Sequence, residues 1–327
     1  MLKRHLNQIT VALVLAATLP LSFAQSAAPS WPTKPIKLIV PYAAGGPADV
    51  VARELALVLT ADLKQPVTVE NQGGGMGVPA LGVVARAEPD GHTLLLAAFG
   101  NMVLQPMLSK KGGADLVAKL KPVSTISTGP HVLVVSAKLP VKNIPELIDY
   151  ARANPGKVSF ASAGTGGTAH LGMEMFKALS KTDVIHVPYK GSAGAVNDLI
   201  SGEVSAMFSS LPSLQGLADK GLVKVLAATA PSKSNATKSL PLIGTALPGF
   251  DYTTWYAMYA PLATPKPLVD VINVALSKAL KTPALVAKIE AAGTELQAGS
   301  PEEVQAWTQR DTEKWSRVIR DAKIAIE

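Results

Sequence analysis

The chain is 327 residues long, 48% hydrophobic and formally +7 at pH 7. That apolar share fills the cores of one large or two medium α/β domains and excludes a disordered chain. The basic residues are scattered, with no run and no aromatic-basic stripe, so no nucleic-acid partner is expected. Having no cysteine, the chain has no disulfide staple, no thiol catalysis and no cysteine-bound metal.

At the start, Lys3 and Arg4 precede an apolar run from Ile9 to Leu21, closed by Ser22-Phe23-Ala24. A charged start, a short apolar core and small residues make residues 1–24 a secretory signal peptide. Cleavage after Ala24 leaves 303 of the 327 residues. The run is short for a membrane span, so an uncleaved anchor is the lesser reading. Losing Lys3 and Arg4 lowers the formal charge from +7 to +5, a mild excess that favours anionic ligands by steering.

Short β-branched runs then alternate with amphipathic segments: Ile36–Val40, Val67–Glu70, Thr93–Ala97, Val132–Ser136, Val158–Ala161, Val184–Val187, Val204–Phe208 and Val223–Ala228. Such alternation predicts βαβ units and mostly parallel sheets covered on both faces, with ligands at the carboxyl ends of the strands.

The first of these ends is the loop 41–49, PYAAGGPAD. Gly45 and Gly46 permit close backbone approach, Pro47 suits a first helical position, and Asp49 falls in the first turn. Val51, Leu55, Val58 and Leu59 share one helical face, with Arg53 and Glu54 on another. Alone, Gly-Gly-Pro reads equally as a tight turn or as an anion cradle. Gly73-Gly74-Gly75-Met76-Gly77 lacks the Lys-Ser/Thr of a phosphate loop and reads first as a flexible loop, second as a cleft wall.

The second such loop is 161–170, ASAGTGGTAH. Gly164-x-Gly166-x-x-Ala169 matches the dinucleotide fingerprint, but Asp183 falls at the wrong end of the next strand to hold a ribose. Ser162, Ala163, Gly164, Thr165 and Thr168 therefore read as donors to a smaller anion. Further on, His186-Val187-Pro188-Tyr189-Lys190-Gly191-Ser192 runs from strand to helix, with Ser192 as the expected N-cap. Tyr189 or Lys190 could reach a ligand, though Lys190 reads first as solvated. Near the end, Ser300-Pro301-Glu302-Glu303 forms a capping box, and Val304, Trp307, Trp315 and Val318 read as core.

Catalytic patterns are missing: there is no Gly-x-Ser-x-Gly and no His-Glu-x-x-His, and the five histidines lack ligand spacing. His170 is the one histidine expected near a site, and it reads first as a hydrogen-bonded structural residue. No cofactor and no metal are expected.

Several stretches carry a combined resemblance: Trp31-Pro32-x-Lys34-Pro35-Ile36, Pro41-Tyr42-Ala43-Ala44-Gly45-Gly46-x-x-Asp49, Val69-Glu70-Asn71 with its glycines, Ala87-x-Pro89-Asp90-Gly91-x-Thr93-Leu94, Ala161-Ser162-Ala163-Gly164 and His186-Val187-Pro188-Tyr189-Lys190-Gly191. Through them the whole mature chain resembles the Bug-type substrate-binding receptors of tripartite tricarboxylate transporters. The resemblance implies an α/β, type II periplasmic-binding-protein fold, two α/β lobes joined by two crossovers with a ligand cleft between them. Residues 29–128 plus 253–327 would form one lobe and 129–252 the other. Gly129-Pro130 and Leu247-Pro248-Gly249-Phe250 suit the two boundaries.

The same resemblance implies a ligand carboxylate held between Tyr42, Ala43, Ala44, Gly45, Gly46, Ala48 and Asp49 on one lobe and Ser162, Ala163, Gly164, Thr165, Thr168 and His170 on the other, often through water. Asp49 would face water or backbone N–H groups. Tyr189 and Ser209 complete the expected set. Many relatives carry Asp where this chain has Ser209, the 239–244 stretch lacks the usual acidic Pro-Thr pattern, and Asn71 is not followed by Arg-Pro. Di-, hydroxy- or aromatic acids therefore rank above amino acids, because a buried ammonium would lack a carboxylate partner. The expected function is a monomeric, non-enzymatic periplasmic receptor delivering a small organic carboxylate to membrane transporter subunits or a sensor kinase. An exported α/β enzyme using the same cleft is the alternative, and a purely structural protein would leave both loops unexplained.

Overall fold

The computed structural model describes residues 30–108, 113–189, 191–211, 214–291 and 294–321. The signal segment, Lys190 and the pair Pro212-Ser213 lie outside these described residues. Two sheets organise the chain. The first contains β1 (Ile36–Val40), β2 (Val67–Asn71), β3 (Thr93–Ala98), β4 (Leu120–Pro130), β10 (Thr253–Pro261) and β11 (Glu295–Leu296), in the order β11-β4-β10-β3-β1-β2. The second contains β5 (Val132–Ser136), β6 (Val158–Ser162), β7 (Val184–Pro188), β8 (Ala206–Ser209) and β9 (Val223–Ala228), in the order β7-β6-β8-β5-β9.

The sheets are mixed rather than mostly parallel, which corrects the expectation from the alternating pattern. β1 pairs in parallel with β2 and β3, and β6 with β7 and β8. β10 runs antiparallel to β3 and β4, and β5 antiparallel to β8 and β9. The antiparallel pairs arise where the chain passes from one sheet to the other, since β4, β5 and β10 each begin or end at a crossover.

Helices cover both faces of the sheets. α1 (Pro47–Leu63), α2 (Val78–Ala85), α3 (Ile144–Ala153), α4 (Thr168–Ser180) and α5 (Ser192–Ser201) follow their strands; α6 (Lys266–Ala279), α7 (Pro283–Ala291) and α8 (Pro301–Asp321) close the chain. The apolar stripe of α1, with Val51, Leu55 and Leu59, packs on Ile36, Leu38 and Val40 of β1. Burying each such side chain contributes about 1.5–3 kcal/mol. Glu54 is not simply solvated: it forms an ion pair with Lys288 of α7 at 2.5 Å.

α8 starts as expected. Ser300 N–H donates to Glu303 Oε2 at 2.8 Å, and Glu303 N–H donates to Ser300 Oγ at 3.2 Å. Its buried Trp315 packs between Phe99, tilted at 5.7 Å, and Tyr252, edge to face at 5.9 Å. Through Phe208 (6.0 Å from Tyr252) and Phe160 (5.7 Å from Phe208) this aromatic column runs into the second sheet. One apolar cluster therefore spans both lobes. Among the described residues, no helix is long and apolar enough to cross a membrane.

Candidate functional site

Two strand-to-helix junctions of this fold face one another across a cleft of about 2370 Å³. On the first lobe, β1 ends at Val40 and α1 begins at Pro47, with Gly46 as an extended N-cap. On the second, β6 ends at Ser162 and α4 begins at Thr168, with Gly167 as its extended N-cap.

Both loops use the same local device. The residue before each N-cap, Gly45 or Gly166, has a positive φ of 83° or 75°, a region that favours glycine. Its N–H is taken by the side chain four residues on: Gly45 donates to Asp49 Oδ2 at 2.9 Å, and Gly166 to His170 Nδ1 at 3.0 Å. Asp49 also accepts from Arg53 Nε at 2.9 Å. Burial pushes its carboxyl up, but the Arg53 and Gly45 bonds, Asn71 and the Arg53 charge together hold it below the usual range. Since Nδ1 of His170 accepts, that ring carries its proton on Nε2, 3.6 Å from Glu174 Oε1.

Holding the loops this way leaves the first helical turns pointing at the cleft. Among the described residues, the N–H groups of Ala44, Gly46 and Ala48 on one side, and of Thr165, Thr168 and Ala169 on the other, donate to no protein acceptor. Aligned with two helix dipoles, such groups favour an anion, and bridging water can complete the shell. Nine-tenths of the lining is uncharged: Glu174, Lys177 and Lys181 are its only acidic, lysine or arginine side chains among the described residues.

The cleft gathers nearly all the sequence-predicted residues. Tyr42, Ala43, Ala44, Gly45, Gly46, Ala48, Ser162, Ala163, Gly164, Thr165, Thr168, His170, Tyr189 and Ser209 all line it. Asp49 does not; it is 3% exposed and lies beneath the loop that it supports. A Cβ at Gly100 of the first lobe would lie 3.5 Å from Thr168 Oγ1 of the second, which measures how closely the lobes approach, and 3.8 Å from the Tyr42 hydroxyl of its own lobe. Burial and the neighbouring Tyr256 phenol push the Tyr42 hydroxyl well above its ordinary range, so it stays a neutral donor. Tyr189 donates to Asp198 Oδ2 at 2.5 Å; burial first, then that bond, pushes it up to about 12.

Three sequence expectations are corrected. Ser192 is not the N-cap of α5: Gly191 takes that place, with no side-chain cap, because its φ of 122° is open to glycine. The Gly73–Gly77 cluster is a wall of the cleft and includes a 3-10 turn over Gly75–Gly77. His170 is not alone, since His131 and His186 also line the cleft. The His186 ring stacks on His170 at 3.9 Å and its Nε2 lies 2.7 Å from Ser162 Oγ. Burial pushes His186 down to about 4, with His170 adding to the fall and Glu174 opposing it. Sequence reasoning also missed Gly100 and Asn101, which a π-helical turn over Gly100–Leu104 brings to the cleft. Such turns are frequent at functional sites and have no composition signal of their own.

Among the described residues, no group of three or more His, Asp or Glu side chains could hold a metal ion. The lining offers hydrogen bonds to an anion from backbone donors and from neutral hydroxyls such as that of Tyr42.

A family model described as the tripartite tricarboxylate transporter family receptor matches residues 51–324. The chain is also similar to an R. palustris protein solved with adipate, at 31% identity and a TM-score of 0.86, covering 90% of this chain and 99% of that one. It is similar to the periplasmic binding protein BugD, at 32% identity and a TM-score of 0.83 over 90% and 99% of the two chains. MatC from Rhodopseudomonas palustris, solved with bound malate, is 28% identical with a TM-score of 0.81 over 88% and 100%. With its α/β, type II periplasmic-binding-protein fold and a cleft between two helix-start loops, the chain belongs to the tripartite tricarboxylate transporter receptor family, among whose Bug-type members are periplasmic binding proteins.

Proposed function

We propose that this chain is an exported, periplasmic receptor that binds a small organic carboxylate between its lobes and delivers it to membrane transporter subunits. The observation that carries this reading is the pair of opposed loops whose free N–H groups face one cleft. One carboxylate bridging Ala44, Gly46 and Ala48 to Thr165, Thr168 and Ala169 would satisfy donors on both lobes at once. The lobes are residues 29–128 plus 253–327 and residues 129–252, acting as a monomer whose hinge closes on the ligand. A sensor kinase is a second destination for the closed form.

Relatives solved with adipate and malate support a dicarboxylate or hydroxy acid as the ligand class. The protein would release its ligand unchanged, since among the described residues no exposed lining nucleophile sits beside a general base that could activate it: the Ser162 hydroxyl lies against His186, but Ser162 is 1% exposed and its hydroxyl is also bound to Gly164.

Mass spectrometry of the ligand retained on gentle purification from a secreting host tests the reading. A carboxylate recovered intact, and thermal stabilisation by adipate, malate or an aromatic acid, is the expected result. Failure of every carboxylate to bind, or conversion of the ligand on prolonged incubation, would replace it with another function.

A further inference from the structure

The first crossover between the sheets is a single residue, His131, between Pro130 of β4 and Val132 of β5. Its backbone is pinned. His131 N–H donates to Thr229 Oγ1 at 3.0 Å, and Thr229 N–H donates back to His131 O at 2.9 Å. Thr229 also holds the second crossover: its hydroxyl donates to Tyr252 O at 2.7 Å, and Tyr252 N–H donates to its carbonyl at 3.2 Å. His131 is thus fixed to the hinge while its ring lines the cleft.

The ring also has a defined tautomer. The Tyr252 hydroxyl lies 3.3 Å from His131 Nδ1, with the two rings edge to face at 5.7 Å. Tyr252 is 2% exposed, and among the described residues its hydroxyl has no other hydrogen-bond partner. A buried hydroxyl left without an acceptor is costly, so it donates to Nδ1. The imidazole proton then sits on Nε2. Burial pushes His131 down to about 4, so the ring is neutral at neutral pH. Beside it, Ser209 ends β8 opposite Val132, and Thr254 of β10 lines the same end of the cleft.

We infer that His131 is a specificity residue: its Nε2–H donates to a second carboxylate on the ligand, so that the receptor selects diacids over monoacids of equal length. The inference rests on the carboxylate reading above, in which the two loops hold the first carboxylate. A neutral N–H donor has nothing to offer an ammonium and little to offer a methyl terminus. Lys177 of the cleft is a poorer candidate for this role, since it is 41% exposed and already within 4.0 Å of Asp183. Because His131 sits on the crossover, its bond to the ligand would also tie recognition to hinge closure.

The test pairs each C4 to C6 α,ω-diacid with its monoacid and measures dissociation constants for wild type, His131→Leu and His131→Gln. Wild type should favour one diacid over its monoacid. His131→Leu should lose about ten- to a hundredfold for the diacid and little for the monoacid, while His131→Gln, which keeps a donor near Nε2, should recover most of it. Equal losses for both acids, or none, would overturn the role of His131 and leave the carboxylate reading standing. Wild type binding monoacids as well as diacids has the same meaning, whereas no binding of any acid sinks both. Independently of any variant, nitrogen NMR at neutral pH should show His131 neutral with its proton on Nε2; a proton on Nδ1 or a charged ring would overturn the inference.

Discussion

Gly45 N–H donates to Asp49 Oδ2 at 2.9 Å, and the second lobe repeats the relationship with Gly166 and His170 at 3.0 Å. In both lobes a side chain at the third helical position fastens the glycine that precedes the N-cap. The loop is thereby set before a ligand arrives, and its remaining donors point into the cleft without further ordering cost.

Removing that fastening should weaken binding without unfolding the protein. Asp49→Ala frees Gly45 N–H and leaves Arg53 with Asn71 but no carboxylate, so affinity for the best carboxylate should fall about tenfold, with Asp49→Asn between the two. Calorimetry on variants with wild-type circular dichroism checks this. Unchanged affinity in Asp49→Ala would show that the loop is held by other contacts.

Acid should destabilise the fold through the buried histidines. His131 and His186 are held at about 4 against an ordinary 6.5, so the unfolded chain binds protons first as pH falls. Their contribution is complete above about 6.5, declines below it and is lost once pH passes about 4. The melting temperature of wild type should fall across that window, and His186→Gln should flatten part of the slope. Parallel pH profiles for the two proteins would contradict the assignment.

Ser209 should set the balance between plain carboxylates and amino acids. The acids that could otherwise neutralise an ammonium are engaged elsewhere: Glu174 of the lining with the His170 ring at 3.6 Å, Asp49 with Gly45 and Arg53, and Asp198 with the Tyr189 hydroxyl. Succinate should bind more tightly than aspartate, and Ser209→Asp should shift the ratio toward aspartate by at least about tenfold, the scale of one charge-assisted hydrogen bond. Competition calorimetry with both ligands reads the ratio directly. A ratio indifferent to Ser209→Asp would remove this position from the ligand.

Asp311 should matter for stability and not for ligand. Buried at 5% exposure on α8, it accepts from Trp255 Nε1 at 2.7 Å in the core of the first lobe. Asp311→Ala leaves that indole N–H without a partner and should cost about 1–3 kcal/mol, while Asp311→Asn, which keeps an acceptor, should cost less. Urea denaturation checks both values, and ligand affinity in the folded variants should stay at the wild-type level.

Much of the site was legible because helix-start chemistry is local. Gly-Gly-Pro with Asp49, and the glycines before Thr168 and His170, specify strand, turn and helix within ten residues, and so the two loops can be read from sequence alone. β4 and β10 were not read as strands for the opposite reason. β4 is Leu-Lys-Pro-Val-Ser-Thr-Ile-Ser-Thr-Gly-Pro, in which Ser124 and Thr125 are fully buried. Their hydroxyls donate to the carbonyls of Gly299 and Gln297, more than 170 residues away. A polar run becomes a central strand only when distant segments satisfy it, and no local period announces that.

By itself, then, the sequence determined the alternating α/β elements, both glycine-rich helix starts and the capping box at Ser300, each a matter of neighbours within one or two turns. The tertiary structure alone decided that the two starts face one cleft, that the crossing strands run antiparallel, and that His131 and His186 join His170 at the site. Those outcomes depend on contacts between segments tens to hundreds of residues apart, where apolar burial and the satisfaction of buried polar groups, rather than local backbone preference, select the arrangement.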